Sequence, residues 1–349
     1  MFPLQNQVQE VEPVNQDFFY GQDLPRPSAL ICARHILLLA LTFCTTTIAG
    51  TLYPFGPVND FVVGSDPQTF DETVAFFLSL PEKYIGVIGH AIELLFTNSY
   101  VLTYGLEFSL SLLLILVSHE MGHYIACRIY KVEATLPFFI PTPPMIGPAG
   151  TFGAFIRIKS PMPSRKAVFD IGVAGPIAGF VMMLPIAIIG ISQMEMTASQ
   201  PVSTGGQLVF GDPLIMQLVG LAFGKDLAFG VGNAFYYAAW IGALVTAINL
   251  IPSGQLDGGH AVYAALGERV HYWTGRIAFP VMAVISVLGA YFYSSPSGFL
   301  IAVILGFMLK VGHPRPYDQT PLDPKRKAVA ILTLLIFILT FLPFPVKLV

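Results

Sequence analysis

Blocks of apolar residues long enough to cross a lipid bilayer dominate this chain, and no other feature narrows its possible folds so far. A helix needs about 20 predominantly apolar residues to span the hydrocarbon core. Such blocks stand at roughly 35–53, 104–127, 167–191, 228–251, 273–293, 297–312 and 327–345. A further stretch, 84–98, is apolar but contains His90 and Glu93, so it reads as either a span or an interfacial helix. Only 11% of the 349 residues are charged and 54% are hydrophobic. Soluble domains carry about 25% charged residues, so this chain has too few to coat a water-facing surface. The pattern predicts an all-α polytopic membrane protein of about seven transmembrane helices, with the lipid bilayer as its constant partner.

Basic residues give the orientation. Arg34 precedes the first block. Arg128, Lys131, Arg157, Lys159, Arg165 and Lys166 lie between the second and third. Arg269 and Arg276 follow the fourth, and Lys310, Arg315, Lys325, Arg326 and Lys327 lie between the sixth and seventh. The alternate loops hold only Lys83 and Lys225. The positive-inside rule then predicts a cytoplasmic N-terminus and a C-terminus on the opposite side. Residues 1–34 read as a polar tail with Glu10, Glu12, Asp17 and Asp23 against only Arg26 and Arg34. That start is not the basic one of a signal or transit peptide, so a bacterial inner membrane is expected and an organelle stays open. A formal net charge of −3 excludes the basic face that a nucleic-acid partner requires. Cys32, Cys44 and Cys127 form no CxxC pair and read as small apolar residues.

Two loops depart from the helical pattern. Residues 131–166 are proline-rich yet apolar, and Pro137, Pro141, Pro143 and Pro144 exclude a regular helix. The following run, 150–159, has the β-branched and aromatic content of a short membrane-associated strand or hairpin. Irregular backbone at membrane depth must be buried in protein or line a cavity; the alternative is a loop resting on the bilayer surface. The second loop is 249–260, which closes the fourth block.

Chemistry concentrates in the second block, at His119-Glu120-Met121-Gly122-His123. In a helix, residues four apart share a face, so both imidazoles can reach one metal ion. Glu120 sits beside them, where a general base would. Ionisable groups inside an apolar span are functional candidates by default; the bland reading is a polar cluster between helices. A third ligand must come from elsewhere, and Asp257 in the glycine-rich Leu256-Asp257-Gly258-Gly259 turn is the best candidate. The expected topology ends the second and fourth blocks on the same side of the membrane. Alone, Asp257 would read as a solvated turn residue. His260 reads as incidental or as support for the site, and His35, His90, His271 and His313 receive no role. Gly172, Gly175 and Gly179 form a small-residue helix-packing face. Glu93 and Glu107 lie on the membrane side, where they can line an access route.

HExxH in one block and Asn249-Leu-Ile-Pro252-Ser-Gly-Gln-Leu256-Asp257-Gly258-Gly259 downstream together resemble the site-2 protease family of intramembrane zinc metalloproteases. The segment 150–180 is similar to the one joining the two motifs in bacterial and plastid-type members. The resemblance covers roughly 101–280 and implies a three-helix metalloprotease core there. Around it would lie the tail at 1–34, a first helix and extracytoplasmic loop at 35–100, and C-terminal helices at 281–349. It implies one zinc ion (Zn2+) per chain, held by His119, His123 and Asp257, with Glu120 as catalytic base. Asn249 matches a position that orients substrate or stabilises the oxyanion, though an Asn closing a helix also has a capping role. The strand-like 150–159 segment would pair with an unwound substrate. The implied activity is hydrolysis of peptide bonds in or near transmembrane segments of membrane proteins. The chain has no room for the PDZ or CBS domains of many members. A transporter-like protein and a non-catalytic, metal-binding relative are the competing readings. Substrate identity, need for a prior cut and oligomeric state stay open.

Overall fold

The computed structural model describes residues 24–59, 68–198 and 208–348; most of the tail read at 1–34 lies outside them. Helix α1, Ala29–Thr51, starts at Ser28, whose hydroxyl accepts the Ile31 N–H. Helix α2, Phe70–Thr97, absorbs the ambiguous 84–98 segment into one 28-residue helix. The Thr69 hydroxyl caps it by accepting the Glu72 N–H, and the Glu72 carboxylate accepts the Gln68 N–H just before the helix. Helix α3, Ser99–Ile129, follows at once, its start capped by Asn98.

The proline-rich loop forms the short strands its composition predicts. Strand β1, Phe138–Pro141, runs antiparallel to β2, Thr151–Phe155, with Phe138 opposite Phe155 and Phe139 opposite Ala154. The register shifts between Phe139 and Pro141, where proline has no N–H to give the ladder. This pair leans on α1: His35 Nδ1 donates to the Pro137 carbonyl at 2.8 Å, and the Thr45 hydroxyl donates to Gly150 O at 2.7 Å.

Helix α4, Arg165–Ser192, returns antiparallel to α3. Beyond it lie strands β3, Glu195–Met196, and β4, Leu208–Phe210, helix α5, Leu214–Ala222, and strand β5, Gly230–Val231. Helix α6, Ala234–Asn249, runs back toward the site and is followed by α7, Asp257–Leu266. Helices α8, Glu268–Tyr293, α9, Ser297–Met308, and α10, Pro324–Thr340, complete the fold, with strand β6, Val346–Leu348, paired to β4. The main core lies between α3, α4 and α6, built from Phe108, Leu112, Ile115, Met183, Ala187, Ala239 and Ala243.

Among the described residues, four helices are long and apolar enough to cross a membrane: α1, α3, α4 and α8. The blocks read at 228–251, 297–312 and 327–345 give shorter helices of 16, 12 and 17 residues. Hydropathy averaged over a window does not register where backbone pairing stops a helix. Residues 228–233 form a short helical turn, strand β5 and the Asn233 cap instead of extending α6. The protein is thus mostly helical with a multi-pass membrane character. Large apolar side chains such as Phe77, Leu78 and Ile85 on α2 and Val281, Val284 and Leu288 on α8 stand exposed, as suits a surface facing lipid.

Candidate active site

His119, Glu120 and His123 lie in the C-terminal half of α3 and are only 3%, 7% and 7% exposed. One helical turn separates the two imidazoles, and both face α4. Asp257 is the first residue of α7, brought back to α3 by the tight turn after α6. That turn contains Gly254 at φ +54°, and it closes so tightly that a Cβ on Gly258 would lie 2.0 Å from the Leu250 carbonyl oxygen. Asp257 Oδ2 is 3.3 Å from His119 Nε2 and 3.2 Å from His123 Nε2. The two Nε2 atoms are 3.2 Å apart.

The ring of His123 is oriented from behind. Its Nδ1 lies 2.7 Å from the Ile171 carbonyl on α4, and a carbonyl only accepts, so Nδ1 carries the proton and Nε2 offers its lone pair. Burial by itself raises the Asp257 carboxyl, but in the metal-free site the His123 and His119 rings, when protonated at Nε2, outweigh it and hold the group well below the usual carboxylate range. Its place at a helix N-terminus also favours the anion.

The glycine stripe of α4 does more than pack two helices. A Cβ on Gly175 would fall 2.1 Å from His123 Nε2, and one on Gly179 would fall 3.2 Å from His119 Nδ1. The same face thus leaves room for the imidazoles, which sequence spacing had assigned to helix contact alone.

A cavity of about 630 Å3 opens at this point, lined by Glu120, Asn249, Asp257, residues 154–162 and Pro314. Asn249, the last residue of α6, lines the same cavity as the His119, His123 and Asp257 cluster. The 131–166 loop divides: 154–162 line the cavity, whereas β1 and the turn after it pack on α1. Glu93 and Glu107 are not among the cavity's lining residues. His35 supports β1, and His271 bonds the Gly254 carbonyl at 2.9 Å. Sequence reasoning missed one pair: His260 lines the cavity, and its Nδ1 meets His313 Nε2 at 2.7 Å. Fifty-three positions separate the two, and no spacing rule links them.

The sequence profile of peptidase family M50 matches residues 107–289, more than half of the chain. A protein named probable zinc metalloprotease EGY1, chloroplastic, from Oryza sativa subsp. japonica is 30% identical over 230 residues, covering 64% of this chain and 38% of that protein. Its namesake from Arabidopsis thaliana is 31% identical, covering 66% and 41%. Probable zinc metalloprotease EGY2, chloroplastic, from Arabidopsis thaliana is 30% identical, covering 72% and 44%. The chain thus spans less than half the length of these relatives. No solved structure matches it. The matched region holds both arms of the His119–His123–Asp257 cluster and the helices that bring them together, and the chain belongs to peptidase family M50, the site-2 protease family.

Proposed function

We propose that this chain is an intramembrane zinc metalloprotease that hydrolyses peptide bonds in or near the transmembrane segments of other membrane proteins. The observation that carries the reading is the convergence of two imidazole nitrogens and one carboxylate oxygen beside a buried glutamate at the wall of a cavity. The donor set fits one zinc ion. Tetrahedral zinc with bonds of about 2.0–2.1 Å has donor–donor edges of about 3.3 Å, and the three donor atoms here stand 3.2, 3.2 and 3.3 Å apart. His119, His123 and Asp257 would be the ligands, in agreement with the relatives' names. Every position that a catalytic member needs is filled, which disfavours the transporter-like and non-catalytic readings.

When bound, zinc supplies Lewis acidity that polarises the scissile carbonyl and acidifies water. The protein's own groups do the rest. The Ile171 carbonyl fixes the His123 tautomer. Glu120 takes a proton from the attacking water and later delivers it to the leaving amine. Asn249 offers an amide donor where negative charge develops. Helical peptide bonds are shielded by their own hydrogen bonds, so the substrate must unwind before it enters, and the extended 154–159 wall supports it in that form. We assign residues 101–280 as the catalytic core, with α3, α4 and α6 as its three helices. The shorter helices complete a seven-span arrangement, with 1–34 as tail, 35–100 as first helix and loop, and 281–349 as C-terminal helices. The loop charges support a cytoplasmic N-terminus in a bacterial inner membrane, or the equivalent face of an organelle membrane in keeping with the chloroplastic relatives.

The test pairs wild type with Glu120→Gln, purified at full length in detergent, on a single-span membrane substrate with metal content measured in both. Cleavage by wild type alone, with about one zinc in each protein, is expected. A wild type that holds no zinc overturns the reading.

A further inference from the structure

The proposed chemistry leaves one group in the cavity unused. His260 stands three residues after Asp257 on α7 and lines the same cavity. Its Nδ1 meets His313 Nε2 at 2.7 Å, and His313 belongs to the segment joining α9 to α10. His313 in turn sets its Nδ1 2.8 Å from the Pro314 carbonyl oxygen. Because a carbonyl only accepts, Nδ1 of His313 holds a proton. The ring lies flat on Tyr263, 3.9 Å between centroids at 7°. Burial, reinforced by neighbouring His260, pushes its pKa down to about 3. A neutral His313 has only that one proton, so its Nε2 is a bare acceptor and Nδ1 of His260 must donate to it.

Burial likewise pushes His260 down to about 4, against a weaker upward pull from Asp257 and with His123 and His271 adding to the fall. The neutral His260 ring spends its one proton on His313, which leaves its Nε2 unprotonated. That nitrogen has no hydrogen-bond partner among the described residues. Nor is it sealed: the buried side-chain atoms left without a partner among those residues are the hydroxyls of Thr142 and Ser253. It is therefore an open acceptor on the cavity wall.

An acceptor is what an unwound polypeptide lacks. Leaving its helix frees backbone N–H donors that must be paired again at membrane depth. The 154–159 wall has one edge already committed, since Thr135 N–H donates to Arg157 O and Lys159 N–H donates to Glu133 O. We propose that His260 is a substrate-binding residue whose Nε2 accepts a backbone N–H of the unwound polypeptide, and that His313 is the positioning residue that fixes its tautomer. The proposal rests on the proteolytic reading above and names a second anchor for the same substrate.

The test uses the full chain with His260→Phe, His313→Phe and the double variant. His313→Phe keeps a ring against Tyr263 and removes the acceptor. Each single change is expected to raise KM about three- to tenfold, the loss of one hydrogen bond, with kcat and metal content near wild type. The double variant is expected to be no worse than His260→Phe alone, because His313 acts through His260. Effects that add, an unchanged KM, or loss of metal from His260→Phe would overturn the assignment. Nitrogen-15 spectra of labelled histidine read the tautomer separately, in a chain that cleaves nothing. There His260 Nε2 should be unprotonated in wild type and change in His313→Phe; a protonated Nε2 in wild type sinks the relay even if proteolysis is established, and failure of proteolysis alone leaves it standing.

Discussion

Follow α3, α4 and α6 from one end to the other and the packing material changes. At the site end, small residues and charges surround a cavity: Gly175 and Gly179 lie under the imidazoles, and an ionic network joins Tyr130, Asp170, Asp323 and Arg326 nearby. At the far end, rings fill the space. Phe210 packs on Trp240 at 4.9 Å and on Tyr237 at 5.4 Å, and Phe55 stacks with Phe108 at 5.6 Å. Polar side chains there are tied to backbone carbonyls. Lys225 donates to the carbonyls of Ile191, Ser192 and Met194 at the end of α4, and Trp240 Nε1 donates to Gly211 O. The far end is built to be dense and the site end to leave room, so damage at the two should look different.

The sharpest break of that contrast is Gly175→Ala. Its new methyl would stand 2.1 Å from His123 Nε2, so the ring must move. Displacing a reacting group by about 1 Å costs on the order of 100-fold in rate, and metal retention should fall with it. Overpacking against the buried ring costs about 1–3 kcal/mol, partly offset by the advantage of alanine over glycine in a helix, about 1 kcal/mol. Activity should therefore collapse while melting temperature falls only slightly. A melting temperature that drops in step with activity would erase the distinction between the two ends.

Trp240→Ala probes the other end of the same stack. The ring is 3% exposed, and truncating a buried tryptophan costs about 3–5 kcal/mol. Thermal unfolding in detergent should shift down markedly. Below the new transition, metal content and KM should match wild type, because Asn249 and the turn to Asp257 lie more than two helical turns further along α6. Metal loss in the folded variant would mean that the far end also sets the site.

Much of the site end was legible in the sequence because its signals are local. Residues four apart on a helix fix where His119 and His123 point, and glycines after Asp257 announce a close turn. Prolines at 137–144 predicted the interruption that became β1 and β2. What stayed hidden depends on partners distant in the chain. Spacing identified a face through Gly172, Gly175 and Gly179 but could not say that imidazoles occupy it. His313 looked idle until folding set it against His260. Helix lengths stayed hidden for a related reason: residues 228–233 leave α6 for strand β5 and the Asn233 cap, a pairing that averaged hydropathy does not register.

The smallest effect expected comes from Arg326, which tests whether charge or close packing holds the site end. Its guanidinium reaches both oxygens of Asp170 at 2.7–3.1 Å and the Tyr130 hydroxyl at 3.0 Å, and also bonds Asp323. Asp170 immediately precedes Ile171, the residue that orients His123. The pair is 28% and 29% exposed, so solvent screens it and it contributes about 1 kcal/mol. Arg326→Gln should lower stability by that amount and loosen α10, and adding Asp170→Asn should cost little more, because the interaction is already gone. Cleavage should stay within about twofold, since Gly122 meets the Ala174 backbone closely enough to hold α3 and α4 together without the charges. A rate that instead falls as far as with Gly175→Ala would mean that the ionic network, and not the glycine face, sets the position of His123.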